Sequence, residues 1–219
     1  MATTPLPPPL RPSLRGVIHQ WSFFVALVAG AALIVWAPAG RATAAAAIYA
    51  TTLAGMLGAS ALYHRIDWRP RARAWLRRLD HSMIFVLIAG TYTPFALLVL
   101  HGTLATVILI VIWTGAAAGI LLKLFWIDAP KWLIAVIYVA LGWVAVAAFP
   151  DMLDRLGITP TAMVAAGGAL YTLGAVVYAR QRPDPAPKVF GYHEVFHALV
   201  IAAAALQYAV IAFYVLPDA

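Results

Sequence analysis

An all-α integral membrane protein, a bundle of seven spanning helices with its N-terminus cytoplasmic and its C-terminus outside, is the fold class this chain predicts. Three features predict it. Of the 219 residues, 64% are hydrophobic and only 11% charged, less than half the roughly 25% charged share of soluble domains. Apolar runs of about 20 residues recur along the chain, the length of helix that crosses a hydrocarbon core about 30 Å thick. The basic residues gather in the short connections between those runs, as orientation in a membrane requires.

The chain opens with MATTPLPPPLRPSLRG, five prolines without apolar periodicity. Residues 1–16 therefore read as a flexible cytoplasmic tail. The apolar run after it is long and lacks a small-residue cleavage site, so the tail is expected to stay in the mature protein. Residues 17–219 form the membrane domain. Its spans are expected at 17–36, 42–64, 79–100, 104–125, 131–149, 160–179 and 190–216. The first ends at Ala37-Pro38-Ala39-Gly40. Pro94 is expected to kink the third. Gly55, Gly58, Gly167, Gly168 and Gly174 are expected to let helices approach closely. Trp21, Trp36, Trp126, Trp132 and Trp143 read mostly as an aromatic belt near span ends.

A cytoplasmic N-terminus puts Arg11, Arg15, the six arginines from Arg65 to Arg78, Lys123, Lys131, Arg180, Arg182 and Lys188 inside. That is thirteen of the fifteen basic residues, with only Arg41 and Arg155 outside. The same distribution argues against nucleic acid as a partner, despite a net charge of +7, because no phosphate-binding face is assembled. The location implied is a cell membrane, with membrane lipids as the partners at hand.

There is no cysteine, so a metal site would have to use His, carboxylates and water. His193 and His197 lie four apart at the start of the last span, on one face and about 6 Å apart along a helix axis. His-Glu-x-x-His is a zinc-binding spelling; two unconnected histidines near a membrane surface are the plain alternative. His64 ends the second span and Asp80 begins the third. All four residues reach similar depth on one side of the membrane. Between Ser82 and Leu122 there is no Asp, Glu, Lys or Arg, so ionisable groups, costly within a bilayer, concentrate at one end of the bundle.

Three segments carry a resemblance. They are Ser60-Ala-Leu-Tyr-His64, the run from Leu79 to Phe95 (LDHSMIFVLIAGTYTPF) and Phe190-Gly-Tyr-His-Glu-Val-Phe-His197. In this order and spacing they resemble the motifs of the hemolysin III family, the bacterial branch of the progestin and adiponectin receptor (PAQR) superfamily. The resemblance implies a cytoplasmic-side zinc ion bound by His64, His193 and His197, with Asp80 meeting the metal through a water and Ser60 one turn deeper than His64. Metal-assisted hydrolysis would follow: zinc lowers the pKa of its water to about 7, Asp80 holds that water and takes its proton, and Ser60 donates to a developing oxyanion or to the water. Similarity of the superfamily to ceramidases makes a lipid amide or ester, with its acyl chain, the implied substrate.

Plainer roles stand beside these. Ser60 can bond a carbonyl of its own helix, and Asp80 can pair with Arg77 or Arg78 at a helix start. His81 is expected to pack or hydrogen-bond rather than ligate, and Glu194 to sit near Lys188 or behind the ligands. His19 and His101 read as surface histidines at span ends. Two other functions fit the motifs: an intramembrane metalloprotease with Glu194 as general base, and a non-enzymatic receptor or regulator of membrane lipid state with structural zinc. The family's name also implies cytolysis, but no amphipathic pore-forming segment is visible.

Overall fold

The computed structural model describes residues 12–219; most of the expected tail, residues 1–11, lies outside the described residues. Among those described there are seven helices long and apolar enough to cross a membrane: Val17–Trp36, Arg41–Arg65, Pro70–Val99, Gly102–Phe125, Lys131–Leu156, Ile158–Arg180 and Tyr192–Val215. Each packs against the next, and the first touches the seventh, which closes the bundle. The second and third spans are innermost, with 61% and 56% of their apolar windows buried inside the protein against 39% or less elsewhere. Spans two, three and seven supply the expected site residues.

The third span begins at Pro70, nine residues before its expected start. The proline sits in the first turn, where its missing N–H is no loss. The arginines that follow can run their aliphatic stems along the helix while their charges reach water. Asp80 consequently sits well inside the helix, so the expected partnership with a helix-start dipole does not arise. At Pro94 the ring has no N–H to give to the preceding turn. The helix widens there into a π turn, Phe95–Val99, the form taken by the expected distortion.

The fifth span is interrupted. Its α-helix Lys131–Gly142 gives way to a 3₁₀ segment, Trp143–Ala148, before Phe149–Leu156 resumes α geometry. Such a switch leaves backbone groups without their α partners, which is costly where no water can reach. Tyr92 of the third span fills the gap: its hydroxyl donates to Gly142 O at 2.5 Å and accepts from Ala145 N at 2.6 Å. Trp143, expected in an aromatic belt, lies at this break and donates to Thr172 Oγ1 of the sixth span at 2.9 Å.

Residues 12–16, the end of the expected tail, are held at the rim of the bundle. Ser13 N donates to Lys188 O and Leu14 N to Val189 O, at 3.0 and 3.1 Å. Gly16 turns the chain into the first helix with φ 77°, and a Cβ there would stand 2.5 Å from His64 Cβ. Both the left-handed turn and the close approach require glycine. Gly168 departs from its expected packing role, since a Cβ there would meet nothing within 4 Å. It borders an internal cavity.

Candidate metal centre

His64 lies in the last turn of the second span, and His193 and His197 in the first two turns of the seventh. Antiparallel neighbours bring those ends to one level, and all three imidazoles are buried. His64 Nε2 is 3.2 Å from His193 Nε2. One ligand nitrogen from each of the three residues falls within a set spanning no more than 4.8 Å. Four ligands arranged tetrahedrally at zinc–nitrogen distances of 2.0–2.1 Å would stand about 3.3 Å apart. The His64–His193 pair already has that spacing.

The donor chemistry fits as well. His197 Nδ1 is buried with no hydrogen-bond partner, which costs about 1–3 kcal/mol if nothing satisfies it. The three rings meet edge to face, with centroids 4.5–5.3 Å apart, and each offers one nitrogen within reach of a common ion. The cluster could hold a metal ion.

Asp80 is buried beside it. Its Oδ2 stands 3.7 Å from His64 Nε2 and 3.9 Å from His81 Nε2, too far for direct hydrogen bonds. The alternative partners of Asp80 are committed elsewhere: Arg77 pairs with Asp128 at 2.8 Å, and Arg78 donates to Leu124 O and Ala74 O. Ser60 does not bond its own helix. Its Oγ is hydrogen-bonded to His19 Nδ1 at 2.8 Å. His81 stays outside the three-histidine cluster, as expected, and His101 is exposed.

Two expectations are corrected. His19 is no surface histidine. It is 2% exposed and stacks on His197 with centroids 3.7 Å apart and planes 11° from parallel. The first span enters at the same end of the bundle as His64, which brings position 19 level with the site. Glu194 meets Arg15 rather than Lys188: its Oε1 is 2.5 Å from Arg15 Nε, and its Oε2 accepts from Gly191 N at 2.8 Å. The second contact caps the helix that carries His193 and His197, so the acid of the His-Glu-x-x-His motif is committed to structure.

An apolar cavity of about 160 Å³ opens from this cluster into the bundle. On the third span it is lined by Asp80, Ile84, Ile88, Tyr92 and Phe95, one helical stripe. From Asp80 to Tyr92 alone is about 18 Å at 1.5 Å per residue, more than the roughly 15 Å of hydrocarbon in one leaflet. The ionisable groups gather at one end; the remaining walls are mostly apolar, with Thr91, Thr172 and Gln207 as polar groups further in.

Seven apolar spans around a buried histidine trio define a class, the helical multi-pass membrane proteins with an internal candidate metal centre. Within it, the chain belongs to the haemolysin-III related family, whose model matches residues 9–208. It is similar to Hemolysin-3 of Bacillus cereus, 34% identical over 160 residues, which are 73% of this chain and 70% of the relative. The Hemolysin-3 homolog of Bacillus subtilis (strain 168) is 32% identical over 155 residues, 71% and 70% of the two chains. The human monocyte to macrophage differentiation factor, 26% identical over 168 residues, ties the chain to the PAQR-type proteins.

Proposed function

We propose that this protein is a zinc-dependent hydrolase of lipid amide or ester bonds, acting from the cytoplasmic side of a bacterial inner membrane. The observation that carries the reading is the meeting of three buried histidines, Asp80 and Ser60 at the polar end of a long apolar cavity. A zinc ion bound by His64, His193 and His197 would supply an activated water near neutral pH. Asp80, acceptor-only when ionised, orients that water and takes its proton. The Ser60 hydroxyl stands one turn away to donate to charge developing on the scissile carbonyl. The apolar stripe of the third span receives the acyl chain and excludes bulk water.

The paired Glu194 argues against the metalloprotease reading, because a general base must face the attacking water. A non-enzymatic protein with zinc as a clasp is the competing reading, since the same trio would tie the second span to the seventh. Two measurements test the proposal. Elemental analysis is expected to find about one zinc per purified chain, and none in a His64/His193/His197 triple alanine variant. Equal metal in both samples would end the metal reading. Lipid profiles of cells carrying His197→Ala are expected to accumulate an acylated substrate relative to wild type. Unchanged profiles beside intact zinc binding in the wild type would favour the clasp.

A further inference from the structure

His19 touches two residues of the site while supplying none of its three ligands. Its ring lies flat on His197, its Nδ1 is bonded to Ser60, and it borders the cavity. A phenylalanine could stack equally well without the buried, unpartnered nitrogen that His19 keeps at Nε2. Burying such an atom is costly, so packing alone does not account for an imidazole here.

The bonding pattern gives the reason. His19 Nδ1 lies 2.8 Å from Ser60 Oγ, across spans one and two. With the hydrogen on Nδ1, Ser60 Oγ accepts from His19 and keeps its own proton to give into the site. This bond ties the first span to the second beside the three histidines.

We propose that His19 is a positioning residue of the site: its bond to Ser60 sets the rotamer of that serine, and it backs the His197 ring so that its nitrogen stays with those of His64 and His193. The first span thus takes part in the centre through contacts alone. The inference rests on reading the three-histidine cluster as a metal centre.

Three variants of the full-length protein in detergent separate the contacts, with cobalt(II) as the probe. His19→Ala removes both, His19→Phe keeps the flat ring but not the donor, and His19→Asn keeps an N–H donor but little of the stack. Outer-sphere partners of metal ligands typically influence affinity by 10–100-fold. His19→Ala is therefore expected to release cobalt to a chelator on the order of 10–100-fold faster than wild type and to shift its visible absorption bands. The Phe and Asn variants are expected to fall between the two, each recovering part of the loss. Wild-type bands and release rates in all three would overturn the proposal, as would Phe and Asn variants that match Ala while unfolding at the wild-type temperature. A wild-type protein that takes up no cobalt would refute the metal centre itself, a separate and recognisable outcome.

Discussion

Replacing Glu194 with glutamine removes one charge and almost no volume, and it separates structure from chemistry at the His-Glu-x-x-His motif. In the wild-type protein Oε2 accepts from Gly191 N at 2.8 Å, while Oε1 faces Arg15 Nε at 2.5 Å. Glutamine keeps the first contact, because its amide oxygen can still accept from the Gly191 N–H. It loses the second, because an amide nitrogen or a neutral oxygen then faces the guanidinium. Removing one partner of a fully buried ion pair costs about 3–5 kcal/mol. Glu194 is 1% exposed, but the Arg15 side chain is 18% exposed, so the arginine can turn toward water and recover part of that. A loss of about 2 kcal/mol follows, or on the order of 4–8 °C in the unfolding temperature of a chain this size. Thermal unfolding in detergent measures it. Zinc content and lipid turnover, measured below the new transition, are expected to stay within a few-fold of wild type. Complete loss of turnover with zinc and fold intact would refute the reasoning and make Glu194 the general base.

Three further outcomes follow from the same geometry. Tyr92→Phe leaves Gly142 O and Ala145 N at the 3₁₀ break without their partner; a destabilisation of about 1–2 kcal/mol is expected, with faster hydrogen exchange at the Ala145 amide as the local readout. Gly168→Leu puts a side chain where a Cβ meets nothing within 4 Å, beside the cavity. Turnover of long-chain lipids is expected to fall while the unfolding temperature and zinc content hold. Asp80→Asn keeps the shape beside His64 but removes the proton acceptor, so zinc should remain bound while turnover drops about 10²–10⁴-fold, the usual contribution of a general base; measurements of metal content and rate on the same sample check both parts.

Much of the site could be read from residue order because membranes restrict it so strongly. Apolar length marks the spans, and the basic residues assign their ends to sides. Those two facts alone bring His64, Asp80, His193 and His197 to one depth. The same depth argument covers His19, which enters the first span at that end. A single histidine near a span end is ordinarily explained by the interface, so depth alone does not mark it as part of a site. The nine-residue error at Pro70 has a similar cause: an apolar window stops at arginines, whereas a helix does not.

The chain on its own determined that there are seven spans, that ionisable groups concentrate at one end, and that several histidines reach that depth. Each of these follows from the cost of placing charge or unpaired backbone in hydrocarbon, which every residue reports locally. Only the tertiary structure decided who meets whom at that end. Arg15 rather than Lys188 took Glu194, His19 rather than a helix carbonyl took Ser60, and Tyr92 mended the break in the fifth span. Those choices depend on the rotation of helices about their own axes and on short contacts between spans far apart in the chain, and neither is written in apolar length or charge.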